Sequence, residues 1–544
     1  MREKAILLDL TKKGLVPIAP SLSLFEPVRL MNLRPELDGL HPEFKPTSVN
    51  PLVAYNTWKG SSDVFLIWDN DVSNTSSINN LYILHNEDTL WRLKSRTYAV
   101  DQTTTPPSYI LGTETTVFPF FKNAKDAPCV IEAEGICLIS DGFLTYELAL
   151  NDSLGAMSSN APGFLCGCYY NGQFVVGNIP TATTKFANSH SMIMWSDIGN
   201  TDFTAGMESI TNTCTDQVGL TYSTATISDT DNTIGFASLP AKAVIIGMHK
   251  LGEAILVMTW DGIYVMRPLE HSWSINKLST NFCSASCLGN QEVIFLDNAD
   301  NKLYKISMDL KIIELGYQHI FTTDTKPRTK IRYFKSRNAY QIYQLWQSSE
   351  ASLIPEWESN FILTPLGLYQ TSYKIVGEEP LIPYHKTFSA DMDNKDTSFN
   401  MLFGLYVSLG TNSNNSEDCF IGLGPCNFGM PSDMTNIRTV KLIGSDTEVK
   451  TYGQSRGVSV SLKATNKSKL NTKVSYAETM HKEMLVRDFV VYPNMSGREL
   501  YMELRFRKSD EALNKTLVLS GLEVNILTEG AIHRRGQSVI TTNA

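Results

Sequence analysis

Short apolar runs, each closed by an Asp-Gly or Asn-Gly type turn and followed by a strand with an aromatic near its start, recur along this chain. The clearest copies are Ile136-Cys-Leu-Ile-Ser-Asp141-Gly142-Phe143-Leu-Thr-Tyr146 and Ile255-Leu-Val-Met-Thr-Trp-Asp261-Gly262-Ile-Tyr264. Phe164 to Phe174, centred on Asn171-Gly172, and Val293 to Tyr304, with Asn301, repeat the pattern. Leu81 to Trp91 and Phe361 to Tyr369 are weaker copies. Asp-Gly and Asn-Gly favour type I′ hairpins, whose two central residues both need positive φ. No stretch of a dozen residues carries the i, i+3, i+4, i+7 apolar spacing of an amphipathic helix. The chain therefore reads as all-β.

Turn centres fall at 88, 141, 171, 261, 301 and 366. A four-stranded propeller blade takes roughly 40 to 50 residues, so residues 47–385 have room for about seven. The reading is a β-propeller of about seven blades, with unrelated sandwich hairpins as the alternative. Residues 1–46 form an N-terminal segment leading into it. Residues 386–430, rich in Asn, Ser, Asp and Gly, read as a loop-rich linker or insertion. Alternating strands then return, as in Val458-Ser-Val460-Ser-Leu462 and Leu500 to Phe506, with Glu499, Tyr501, Glu503 and Arg505 on the second face. Residues 431–529 thus suggest a half-solvated, antiparallel, sandwich-like C-terminal domain, and 530–544 a tail.

At 544 residues there is ample chain for such cores. Lys plus Arg number 47 against 56 Asp plus Glu, a net charge of -9 that excludes global attraction to nucleic acid. The apolar start, Ala5 to Leu8 and Leu10, is too short for a signal peptide, and no run approaches a membrane span. The expectation is a soluble protein made in a cytoplasm. Nine cysteines without regular spacing form no disulfide framework, and Cys166-Gly-Cys168 and Cys283 with Cys287 read as buried thiols.

Motifs for chemistry are weak. Gly453-Gln-Ser455-Arg-Gly457 spells a nucleophile elbow, but an alternating strand follows where the elbow needs a helix. Asp391 to Asp396 and Asp69-Asn-Asp71 lack the ligand spacing of a calcium loop. No catalytic residue, metal ligand or cofactor site is nominated, and the chain reads as a non-enzyme. One segment stands out against the acidic background: Lys326-Pro-Arg328-Thr-Lys330-Ile-Arg332-Tyr-Phe-Lys335-Ser-Arg337, with six cations and no acid. Lys326, Arg328, Lys330, Arg332, Lys335 and Arg337 are the candidate contacts to DNA or an acidic partner, and Tyr333 and Phe334 either stack on bases or pack in a core.

Three stretches together resemble the tail nozzle, or packaged-DNA stabilisation, proteins of short-tailed bacteriophages. They are Val28-Arg-Leu-Met-Asn32-Leu-Arg34-Pro35-Glu-Leu-Asp-Gly39-Leu-His-Pro42-Glu-Phe44, then Ser191-Met-Ile-Met-Trp195-Ser196-Asp197-Ile-Gly199 to Phe203, and Phe489 to Val524 with its Leu519-Ser520-Gly521 turn. The resemblance implies a structural virion protein: a homo-oligomeric ring, six copies below the portal, around a channel that retains and then passes the genome. Implied partners are the tail adaptor or portal-side ring, tail fibre or spike proteins, and double-stranded DNA in transient, non-specific contact. The alternatives are a propeller that binds or degrades cell-surface glycan, or a cellular propeller scaffold. A glycosidase would need two carboxylates roughly 5 to 10 Å apart, and no pair can be nominated.

Overall fold

The computed structural model describes residues 2–18, 26–43, 64–70, 79–87, 90–101, 108–121, 128–133, 136–149, 156–157, 161–180, 189–203, 213–215, 221–224, 234–269, 273–321, 328–334, 337–346, 357–376, 405–408, 419–428, 435–446, 458–465, 481–485, 490–493, 495–497, 499–506 and 517–528. Within them the chain is almost entirely β, with one helical turn, Gln318–Phe321. No described helix is long and apolar enough to cross a membrane.

Among the described residues six antiparallel four-stranded units succeed one another as propeller blades, where the sequence suggests about seven. Blade 1 is Val64–Asn70, Asn79–Glu87, Leu90–Asp101 and Ser108–Phe121. Blade 2 is Cys129–Ala133, Ile136–Ser140, Thr145–Ala149 and Ala156–Met157. Blade 3 is Cys166–Tyr170, Gln173–Ile179, Ser189–Trp195 and Gly235–Ser238. The hairpin Thr213–Thr215 with Thr221–Thr224 is inserted before its last strand. Blade 4 is Ile245–Leu251, Ala254–Thr259, Ile263–Pro268 and Trp273–Ser279. Blade 5 is Cys283–Leu288, Glu292–Asp297, Leu303–Ser307 and Ile312–Gly316. Blade 6 is Arg328–Phe334, Ala339–Trp346, Trp357–Thr364 and Gly367–Thr371. The first strands of blades 2 to 6 pack side by side in that order, the radial arrangement of a β-propeller.

The recurring sequence pattern marks hairpins rather than blades. Asp141-Gly142, Asp261-Gly262 and Asn301 join second to third strands, whereas Asn171-Gly172 joins first to second and Leu366 third to fourth. That mixture, with the insertion in blade 3, makes the turn spacing irregular. At Asn171-Gly172 both residues have positive φ, 49° and 85°, as a type I′ turn requires. The aromatic after the turn has a specific task in blades 4 and 5. Tyr264 donates its hydroxyl to Asp261 Oδ2 at 3.2 Å, and Tyr304 donates to Asp300 Oδ2 at 2.6 Å, so each tyrosine clamps its own turn.

Neighbouring blades interlock where side chains are small. A Cβ on Gly289, after the first strand of blade 5, would lie 1.6 Å from the Tyr340 hydroxyl of blade 6. The bare glycine lets that hydroxyl reach Glu292 Oε1, 3.2 Å away on blade 5. Asn178 of blade 3 donates to the Ile245 carbonyl of blade 4 at 2.7 Å.

The two ends of the chain build a sandwich together, which changes the reading of three segments. Residues 1–46, expected to lead into the propeller, supply strands to both sheets of the C-terminal part. Pro27–Met31 pairs in parallel with the last strand of blade 6 (Met31 opposite Gln370) and antiparallel with Cys419–Cys426. This sheet continues through Glu499–Phe506, Val458–Thr465 and His481–Leu485. In the second sheet Arg2–Asp9 lies antiparallel to Leu517–Thr528, which also pairs with Thr435–Asp446, and the hairpin Leu33–Pro35 with Leu40–Pro42 joins at Leu519.

Residues 386–430, expected as a linker, contribute Cys419–Cys426, buried almost throughout. Its Gly422 is a packing residue: a Cβ there would sit 2.1 Å from the Tyr501 hydroxyl. The half-solvated sheet is also corrected, because Glu499, Tyr501 and Glu503 are buried along with the apolar positions of their strand. Glu503 accepts from Tyr501 at 3.2 Å and from Arg505 Nε at 2.6 Å, while Arg29 and Arg505 both cover the Phe420 ring. One continuous apolar core runs from Ile294 of blade 5 through Ile342 and Phe361 of blade 6 to Leu504 and Leu522 of the two sandwich sheets. The tail 530–544 lies outside the described residues.

Candidate functional site

The basic segment forms the first strand of blade 6 and one edge of the nine-stranded sheet. Strand alternation puts Lys330 and Arg332 on one side and Thr329, Ile331 and Tyr333 on the other. Ile331 is buried and pairs in register with buried Ile342, which fixes the face of the charged set. Lys330 and Arg332 are half-buried, opposite Tyr343 and Gln341. Lys326, Lys335 and the Arg328 side chain lie outside the described residues. Tyr333 and Phe334 are packing residues: Phe334 is buried, and Tyr333 lies 4.9 Å from the Tyr340 ring and donates to Asn338.

Arg337 belongs to a different structure, an ion cluster that clamps the N-terminal hairpin to blade 6. Its guanidinium donates to Glu43 Oε1 at 2.9 Å, and Tyr369 donates to Glu43 Oε2 at 2.7 Å. Arg34 stands beside them and pairs with Glu36 at 2.5 Å. Burial works against the Arg34 charge, but Glu43 and Glu36 outweigh it and hold its pKa above the ordinary value. Burial, then Glu43, push the Tyr369 hydroxyl well above its ordinary value, so it stays a donor. Asn32, at φ 52°, completes the clamp by exchanging two hydrogen bonds of 2.8 Å with Ser372. Of the six sequence candidates, Arg337 is thus a structural cation, while Lys330 and Arg332 remain together on one strand face. Glu43 and Tyr369 escaped sequence reading because their partners are some 300 residues away, 294 for Glu43 with Arg337 and 326 for Glu43 with Tyr369.

The first strands also bring polar groups of adjacent blades together. His249 of blade 4 lies 2.8 Å from Ser286 Oγ of blade 5. Burial lowers the His249 pKa to about 4, so the imidazole is neutral near pH 7. Burial raises Cys166, Cys168 and Cys283, Cys168 to about 12, the opposite of the shift a reactive thiolate needs. Cys166 and Cys283 are buried thiols on strands, as the sequence suggests, whereas Cys168 and Cys287 are half-buried. Among the described residues one His and carboxylate group is close enough to ligate a metal together, Glu36, Asp38 and His41. Glu36 is already held by Arg34, and Asp38 by His41 at 2.8 Å. The Gly453 to Gly457 spelling and the Asp391 to Asp396 segment lie outside the described residues.

No protein-family model matches this chain, and no curated protein matches it. Among solved structures it is similar to Hsv2 from Kluyveromyces lactis at 9% identity, over 52% of this chain and 93% of that one, TM-score 0.25. AztD from Citrobacter koseri gives 10% identity, 57% and 90% coverage, and TM-score 0.28. Virginiamycin B lyase from Staphylococcus aureus gives 14% identity, 56% and 94% coverage, and TM-score 0.28. Likeness at this level transfers no ligand or activity, and the propeller description rests on the meanders themselves.

Proposed function

We propose that this protein is a non-enzymatic structural component of a short-tailed bacteriophage tail, a nozzle-type ring around a channel that retains and then passes genomic DNA. The observation that carries the reading is where its first and last resembling stretches fall. Val28 to Phe44 and Phe489 to Val524 are separated by most of the chain, yet their strands share both sheets of one sandwich. The two stretches therefore belong to one structural module. Lys330 and Arg332, on the first strand of a blade, suit brief contact with a passing polyanion, and the net charge of -9 opposes tight retention.

On this reading six copies assemble below the portal, against a portal-side or adaptor ring, with fibre or spike proteins as further partners, and the protein resides in the virion tail. The test is particle mass and symmetry of the purified chain, by mass photometry and electron microscopy, with and without an adaptor ring. A sixfold ring of 60.7 kDa subunits is expected. A lone monomer under both conditions removes the reading.

A further inference from the structure

Trp260 follows the second strand of blade 4, Ala254–Thr259, and is 47% exposed in the turn. Thr259 builds that turn without it: its hydroxyl donates to the Gly262 carbonyl at 2.7 Å and accepts from the Asp261 and Gly262 amides, each at 3.1 Å. The Trp260 amide is tied to the Val244 carbonyl at 3.1 Å. The indole therefore serves neither turn nor core. Its plane lies 12° from that of Phe282, with centroids 6.5 Å apart, so the two rings present adjacent, nearly parallel faces. Phe282 is anchored in turn, its amide donating to Asp297 Oδ2 at 3.3 Å and its carbonyl accepting from Asn298 at 2.7 Å.

Polar groups surround this aromatic step. Asp261 Oδ2 accepts from Lys277 Nζ at 2.9 Å and from Tyr264, and Asn281 donates to Asp297 Oδ2 at 2.8 Å. Gly262 permits the arrangement, since a Cβ there would meet Lys277 Cε at 2.4 Å. Lys277 lowers the Asp261 pKa, which keeps a carboxylate acceptor present over a wide pH range.

We propose that the Trp260–Phe282 step, with Asp261, Lys277 and Asn281, is a carbohydrate subsite that takes a hexopyranose unit of a neutral glycan. A pyranose has an apolar face of C–H bonds and a rim of hydroxyls that both donate and accept. It matches a flat aromatic surface bordered by a carboxylate, an ammonium and an amide. A phosphate-bearing ligand would meet the Asp261 carboxylate. The subsite is independent of ring assembly, so either proposal can fail without the other.

The test is saturation-transfer NMR on the full chain with maltohexaose, cellohexaose and chitohexaose as probes. Transfer to the ring C–H protons of at least one probe is expected, weakened about tenfold in Trp260→Ala and largely kept in Trp260→Phe. Asp261→Asn should weaken the same probe without abolishing the stacking signal. Thermal unfolding of each variant, matched to the parent, shows that the fold is intact. No transfer from any of the three probes overturns the proposal, and so does transfer that persists undiminished in Trp260→Ala.

Discussion

Replacing Glu43 with Gln tests whether the N-terminal hairpin and blade 6 are one structural unit. The Glu43 side chain is 13% exposed and that of Arg337 20%. Removing one partner of a buried pair costs about 3–5 kcal/mol, because the other charge stays desolvated. Two features lower the figure here. A glutamine carbonyl can still accept from Tyr369, and Arg337 keeps enough exposure to be partly rehydrated. About 2 kcal/mol is expected, against about 1 kcal/mol for Tyr369→Phe, which loses one hydrogen bond. The assay is urea unfolding of the full chain followed by circular dichroism, with Arg337→Gln and the double variant completing a cycle. Coupling of 1 kcal/mol or more (about the size that contacting residues show) is expected between Glu43 and Arg337. A loss below about 0.5 kcal/mol in Glu43→Gln, or additive single effects, would refute the clamp.

Three further outcomes follow from the same geometry. His249 is depressed from its ordinary 6.5 to about 4, so below pH 6.5 the unfolded chain takes up a proton that the folded chain refuses. Stability present above pH 6.5 should fall by at most about 3 kcal/mol on the way to pH 4, and His249→Gln should flatten that part of a urea-midpoint-against-pH profile. Gly289→Ala should cost about 1–3 kcal/mol by driving Tyr340 off Glu292, and a melting temperature equal to that of the parent would contradict the interlock. The pair Lys330→Gln with Arg332→Gln should weaken binding to random-sequence duplex DNA and reduce the slope of log affinity against log salt by about two. An unchanged slope would place the DNA contact elsewhere.

The sequence was informative where structure is local. Asp/Asn-Gly turns flanked by apolar runs depend on neighbours in the chain, and the hairpins at Asp141, Asn171 and Asp261 form where the pattern puts them. The same local signal says nothing of which strand a turn joins within a blade, so blade phase was illegible. Glu503 looked like a solvent-facing residue because alternation treats every charged position as exposed. Tyr501 and Arg505 share its face in the strand's own period, but the Arg29 side chain and the Phe420 ring that cover them come from other strands and are not visible there. The six-cation run was legible as a run. Its division was not: Arg337 turns to Glu43 on a distant hairpin, while Lys330 and Arg332 stay on the first strand of blade 6. Trp260 sat in plain view before an Asp-Gly turn, but only the Thr259 hydrogen bonds show that the turn does not need it.

The compositional break near residue 385 therefore marks a change in chain texture rather than a division of the core. Apart from the pairing across the inserted hairpin of blade 3, blades 1 to 6 are made of hairpins between neighbours in sequence, whereas the sandwich pairs Arg2 with Thr528 and Leu40 with Leu519. Contacts of such separation carry a large loop-closure cost and form late. Until they form, the last strand of blade 6 lacks its partner Pro27–Met31, and an unpaired strand edge is a template for other chains. The Asn32–Ser372 exchange and the Glu43–Arg337 pair lie where the closing strand meets blade 6, so the residues that finish the fold are also those that remove its exposed edge.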